Sequence, residues 1–240
     1  MSLNIALLGE SYLIEKQGHI HIPELKTAKT IHANFHGSES LFDHSINTLK
    51  AAKSYTLELR VACLLHDIGK AKAWNPTDNS FHKHELYGEQ IVRKLLEEEN
   101  TPSQMIDYIC NLVRHHMFYF DTLPSESTTK RWLRTVGPDW FDLFLLRMAD
   151  RRGNVNKKYK PAFTTQMQDL EVHFRKIIDK NTVIFENDLA LRRSSIIPLM
   201  DKENQSKIDE LIPTIIGVVN NKPELNCPNK LKSYIMKIYA

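Results

Sequence analysis

The chain has 240 residues, 42% hydrophobic and 25% charged, with a formal net charge of +3. That length buries a full core, as one large domain or a domain with an appendage, and the composition is that of a globular protein rather than a disordered or fibrous one. The charge is too small to demand a nucleic-acid partner by itself, no apolar stretch approaches a membrane span, and the N-terminus lacks a signal-peptide pattern.

Residues 1–30 show no clear period; Ile20, Ile22 and Leu25 around Pro23 fit a short extended piece or a loop. From Ser40 the spacing becomes helical. Leu41, His44, Ser45, Thr48, Leu49 and Ala52 share one stripe, which carries His44 inward with the leucines. Leu59, Ala62, Cys63 and His66 form a second stripe, with Gly69 as its stop signal. A third helix is expected from about His84 to Glu98, with Gly88, Ile91, Val92 and Leu95 inward. Thr101-Pro102 reads as cap and first position of a fourth, running toward His116. Gly137-Pro138 introduces Trp140, Phe141, Leu143 to Leu146 and Met148, apolar on nearly every side and therefore expected at the centre of the bundle, with Asp150 at its end. Beyond Asn154, Lys157, Lys158, Lys160 and Pro161 mark a basic loop, and further helices are expected near 163–180, 188–200, 204–219 and 228–238. The expectation is an all-α fold: an N-terminal segment over 1–30, a helical core over 31–155 and a helical C-terminal extension over 156–240. Cys63, Cys110 and Cys227 are odd in number and widely spaced, which predicts reduced thiols and a cytoplasmic setting.

The chemistry-bearing residues form an ordered set: His44, the pair His66-Asp67, His84, one of His115 and His116, and Asp150. Ten of the eleven histidines lie between His19 and His116. Imidazole and carboxylate are the ligand types that hold divalent cations at hydrolytic centres. Asp67 and Asp150 fall at the C-terminal ends of predicted helices, where a carboxylate meets the negative end of the macrodipole at roughly 0.3–1 kcal/mol. Convergence in a pocket would add mutual repulsion, and a divalent cation offsets both. A lone inward histidine is ordinarily a satisfied core residue, and a His-Asp dipeptide arises by chance; the weight rests on the whole set. Helical phase puts His116 on the Ile109–Val113 stripe, while His115 follows Leu112 by three, so both stay open. His82 reads as a neighbour. Mixed imidazole and carboxylate ligands suit manganese, iron, cobalt, nickel or zinc better than magnesium alone.

Four stretches resemble one family: Ser80-Phe81-His82-Lys83-His84-Glu85-Leu86-Tyr87-Gly88, Leu112 through Asp121, Val136-Gly137-Pro138 through Arg151, and Asn221 through Asn226 followed by Lys230-Leu231. Together with the ordered set, they are similar to the HD-domain phosphohydrolase superfamily, in particular the HD portion of bacterial transfer-RNA CCA-adding enzymes and their poly(A) polymerase relatives. The resemblance implies an HD-domain helical bundle that binds one or two divalent ions. By that resemblance His44, His66, Asp67 and Asp150 are the primary shell, and His84 with one of His115 and His116 completes a second site bridged by Asp67. It also implies activity on ribonucleotide ends: opening 2′,3′-cyclic phosphates and removing 2′- or 3′-phosphates. The expected catalytic residues are Asp67, Lys70 as a point charge on a phosphate oxygen, and Arg147, which flanks Asp150 with Arg151. The expected partners are a nucleotide or RNA 3′ end, transfer RNA among them, and no membrane. Arg192-Arg193-Ser194 replaces a glycine-containing stretch of the family, which weakens the case for transfer-RNA docking by the tail.

Gly37-Ser38 with Asp43 mimics the start of the family's nucleotide-transfer motif, but Ser45 stands in place of the second aspartate and the context is helical, so no nucleotide addition is expected. Trp74, Tyr87, Phe118 and Tyr119 could stack on a base, or serve as ordinary core and rim. Two other readings remain: a nucleotidase for free monophosphates, which needs a closed pocket, and an idle RNA-binding or assembly module. A basic channel built from Lys157, Lys158, Lys160, Arg192 and Arg193 would favour an RNA end.

Overall fold

The structure, a computed structural model, describes residues 40–75, 77–78, 80–154, 161–180 and 185–240. The expectations for residues 1–30, for Gly37-Ser38 and for Lys157, Lys158 and Lys160 lie outside the described residues. The described chain is all-α, relieved among these residues by an isolated antiparallel bridge between Asn75 and Ser80. The helices are α1 (Leu41–Ala51), α2 (Leu57–Leu65), α3 (Lys70–Ala73), α4 (His84–Glu98), α5 (Ser103–His115), α6 (Glu126–Val136), α7 (Trp140–Gly153), α8 (Pro161–Lys180), α9 (Arg193–Ile196), α10 (Lys202–Ser206), α11 (Ile208–Asn221) and α12 (Pro228–Tyr239). No described helix is long and apolar enough to cross a membrane. The three cysteines are free thiols, Cys63 and Cys110 buried and Cys227 exposed.

The described residues divide into two compact units, one taking the chain up to Asp121 and Asp139–Gln168, the other Thr122–Pro138 and Asp169–Ala240. In the first, α1, α5 and α7 pack around α2. Every residue of α2 from Leu59 to Leu65 is buried, Arg60 included. Each fully buried leucine or valine there contributes roughly 1.5–3 kcal/mol. The Trp140–Met148 run is therefore not the most enclosed helix: Phe141, Leu145 and Met148 stay partly accessible. Helix α1 starts where Ser40 Oγ accepts the Asp43 amide, and α2 where Thr56 Oγ1 accepts that of Leu59.

Gly69 does not stop α2 with a left-handed turn, for its φ and ψ are −66° and −17°. Its role is close approach. A Cβ there would lie 2.0 Å from the His84 carbonyl oxygen and 2.4 Å from the Gly88 amide nitrogen, so only glycine lets the chain after α2 lie against the start of α4. On α4 the inward residues are His84, Gly88, Val92 and Leu96, with Ile91 and Leu95 half-buried beside them. Helix α5 begins one residue later than expected: Pro102 is its cap, its carbonyl accepting from Met105 and Ile106, and Thr101 Oγ1 caps nothing.

The second unit holds α6, residues 169–180 of α8, and α9 to α12. Ser125 caps α6 through the Thr128 amide, a start signal that hydrophobic period alone does not show. The helix expected over 188–200 is a turn at Glu186–Asp188, α9, and a second turn at Ile197–Leu199. Asn226 Oδ1 draws off the Ala190 amide at 2.7 Å, and Pro198 has no amide to continue a helix. The helix expected over 204–219 is α10 and α11, parted at Lys207. The core here is apolar: Leu189, Ile196, Met200, Ile212, Ile215, Ile216, Val219, Leu231, Ile235 and Tyr239.

Candidate metal centre

Helix ends deliver most of the polar set. His66 is the C-cap of α2 and Asp67 follows it; His84 is the first residue of α4; His116 is the C-cap of α5; Asp150 lies in the last turn of α7. His44 alone comes from a helix body, on the buried stripe of α1. Entry into α4 runs through Lys83 at φ 61°, a left-handed conformation uncommon for a residue with a Cβ, and this turns His84 inward.

Three imidazoles are oriented by one device. His66 Nδ1 donates to the Cys63 carbonyl at 2.9 Å, His84 Nδ1 to that of Phe81 at 2.9 Å, and His116 Nδ1 to that of Val113 at 2.7 Å. For His66 and His116 the acceptor is one of the carbonyls that a helix end leaves without an intrahelical donor. A carbonyl only accepts, so the proton is on Nδ1 and the Nε2 lone pair of each neutral ring faces the centre.

Asp67 lies between two groups. Its Oδ2 is 3.3 Å from His66 Nε2 and 3.7 Å from His44 Nε2, while His44 Nε2 is 3.1 Å from Asp150 Oδ1. Its Oδ1 is 3.4 Å from both His84 Nε2 and His116 Nε2, and those two nitrogens are 3.2 Å apart. Two groups could thus hold an ion each: His44, His66 and Asp150, and Asp67, His84 and His116. Ligand bonds of about 2.0–2.2 Å put neighbouring donors around one ion roughly 3–3.5 Å apart, close to the spacings found.

The fit to a cation rests on the imidazoles more than on the carboxylates. Lys70 Nζ already lies 2.6 Å from Asp67 Oδ2, and Arg147 3.1 Å from Asp150 Oδ2, so each carboxylate has a basic neighbour. The nitrogens are less well served. His66 Nε2 is buried and meets no hydrogen-bond partner, and the His84 and His116 lone pairs face each other. A cation or a proton between them relieves that contact. Burial would raise the Asp67 carboxyl, but its neighbours His66, Lys70 and His116 together hold it well below the usual carboxylate range. Asp150 is lowered likewise, burial being outweighed by its neighbours His44, His66 and Arg147. Burial lowers His66, yet Asp67 and Asp150 bring it above its ordinary value; burial keeps His116 below its own.

His115 is not part of this cluster. It is half-buried beside Glu89, Arg93 and Arg114, lining a separate pocket between α4 and α5. His82 is exposed. Arg114 pairs with Glu89. Phe118 is core, its ring 5.2 Å from that of Phe144; Trp74 lies against Phe81, and Tyr87 under the Lys72 ammonium. Only Tyr119 of the four aromatics is exposed, at 68%. Arg193 is tied to Glu186 and Asp209 and Arg192 to Asn187, so the basic channel loses both as uncommitted charges. A cavity of about 430 Å³ opens beside Asp150, and Asn154, Phe163 and Gln166 in its wall had no part in the ordered set. Their spacing suggests no site, because the cavity exists only once α7 and α8 are folded.

Residues 41–182 match the HD domain. The chain belongs to the HD-domain family. HD domains are in general metal-dependent phosphohydrolases, and they bind divalent metals. The chain is 28% identical over 137 residues to a Multifunctional CCA protein of Neisseria meningitidis, a match covering 54% of this chain and 33% of that one. It is 27% identical over 173 residues to a Multifunctional CCA protein of Hahella chejuensis, covering 61% and 40%. A CC-adding tRNA nucleotidyltransferase of Thermus thermophilus is 29% identical over 150 residues, covering 58% and 34%. The matched part thus spans between a third and two fifths of the length of these relatives.

Proposed function

We propose that the cluster is a two-ion centre that hydrolyses phosphoesters at nucleotide or RNA 3′ ends, as a 2′,3′-cyclic phosphodiesterase and phosphatase. His44, His66 and Asp150 would hold one cation and His84 and His116 the other, with Asp67 shared between the two groups. The observation that carries this reading is Asp67 itself, a buried carboxylate with one oxygen toward each of two imidazole groups. Bound divalent cations supply Lewis acidity at the phosphoryl oxygens and acidify water at neutral pH.

The chain's own groups do the rest. The carbonyls of Cys63, Phe81 and Val113 fix the three rings, so the donor set needs little reordering on loading. Lys70 Nζ, with a side chain 13% exposed, holds Asp67 and brings a positive charge to the centre that favours a phosphate oxygen. Arg147 holds Asp150 by one nitrogen and leaves the rest of its guanidinium for charge that develops on phosphorus oxygens. The substrate class draws support from the relatives, one of which is by name a CC-adding tRNA nucleotidyltransferase.

The test is a panel of 2′,3′-cyclic nucleotides, nucleoside monophosphates and phosphorylated RNA ends, each with manganese, nickel and magnesium. The expected result is metal-dependent release of phosphate or opening of the cyclic ester, lost in Asp67→Ala. Turnover of 5′-monophosphates alone would replace the RNA-end reading with a nucleotidase. No turnover with any metal, or full turnover by Asp67→Ala, would remove the hydrolase reading.

A further inference from the structure

The cavity beside Asp150 has a composition that the hydrolytic reading does not use. Its wall carries two guanidiniums, Arg147 and Arg151, one helical turn apart on α7, and a single carboxylate, Asp150. That carboxylate is committed, Oδ1 toward His44 and Oδ2 toward Arg147. Among the described residues Arg151 meets no carboxylate. Its Nε is buried without a hydrogen-bond partner, and its contact is with the Phe163 ring, 5.3 Å from the guanidinium carbon to the centroid. A guanidinium held over an aromatic face keeps its N–H donors for an anion. Phe163 belongs to the first turn of the 20-residue α8, so the positive end of that helix dipole also lies on this wall. The rim adds Tyr119, a large ring left 68% exposed. An anion and a flat π-surface are therefore wanted in one space of about 430 Å³.

We propose that this cavity is a nucleotide subsite, in which a base lies against the Phe163 and Tyr119 rings and a phosphate is held by Arg151. An inorganic anion would satisfy the arginine and leave the rings bare; an apolar ligand would do the reverse. A nucleotide supplies both parts at once, and stacking on an aromatic side chain accepts any base. The subsite rests on the hydrolase reading for its purpose: it would make the centre select nucleotide phosphoesters over other phosphoesters. Its existence does not depend on turnover.

The experiment is therefore equilibrium binding by titration calorimetry in EDTA, where no hydrolysis occurs. The probes are adenosine 3′-monophosphate, adenosine, ribose 5-phosphate and inorganic phosphate. The nucleotide is expected to bind at least about tenfold more tightly than any of the other three. Arg151→Gln and Phe163→Ala should each weaken it about fivefold or more. Tyr119→Ala, at an exposed position that does not threaten the fold, should weaken it in the same direction. Circular dichroism and melting curves show which variants remain folded. Equal affinity for the nucleotide and inorganic phosphate overturns the subsite, as does unchanged nucleotide affinity in folded Arg151→Gln and Tyr119→Ala. Hydrolysis without this selectivity removes the subsite alone, and selectivity without hydrolysis removes the proposed reaction alone.

Discussion

The two units bury different kinds of residue. Among the described residues the first hides Ser40, His44, Ser45, Thr48, Arg60, His66, Asp67, His84, His116 and Asn154, whereas the second hides Thr129 and otherwise keeps an apolar interior. Burying polar groups is unfavourable unless each finds a partner, and charged groups more so. The second unit has the interior that stability favours. The first accepts an expensive one, and its four fully or nearly buried histidines converge on Asp67. The contrast also extends to glycine. In the first unit Gly69, Gly88 and Gly153 are pressed against backbone or side chains, Gly153 against Thr48, while a Cβ added at Gly217 in the second would meet nothing within 4 Å.

The sharpest way to break this contrast is Asp67→Ala. Loss of a ligand's hydrogen-bond partner lowers metal affinity or activity by about 10–100-fold, and loss of the bridging carboxylate should exceed that in both. Activity assays and metal analysis read the result; a drop below tenfold would mean that the buried polar cluster serves stability instead. Next is Ile215→Ala in the apolar core of the second unit. It should destabilise by roughly 2–5 kcal/mol in denaturant titration and leave the metal stoichiometry as it was. Gly69→Ala should cost roughly 1–3 kcal/mol, because its Cβ has no space against the His84 carbonyl and the Gly88 amide. Displacing His84 should also weaken metal binding, which Ile215→Ala does not. Gly217→Ala, the same substitution inside α11, should go the other way and stabilise by about 0.5–1 kcal/mol. Equal effects of the two glycine changes would erase the distinction.

Much of the site was legible because it obeys helical period. His44 shares a stripe with Leu41 and Leu49, and His66 with Leu59 and Cys63, so both had to point inward. His115 against His116 was not legible. Leu112 and Val113 are both buried, so phase along α5 admits either histidine, and the choice depends on His84 from a helix far along the chain. Gly69 misled for a similar reason: a glycine after a helix reads as a stop, and only the path of α4 shows that it answers a close approach. The partial neutralisation of Asp67 and Asp150 by Lys70 and Arg147 is local, three residues away in each case, yet its consequence is not. It moves the argument for a cation from the carboxylates to the imidazole nitrogens, whose mutual distances no spacing reveals.

Equilibrium dialysis against manganese with elemental analysis, run on the native chain and on Asp67→Ala side by side, tests the two-ion bridge most directly. Two ions per native chain, with both sites weakened by the one substitution, is the predicted result. Identical manganese content in the two proteins would contradict it.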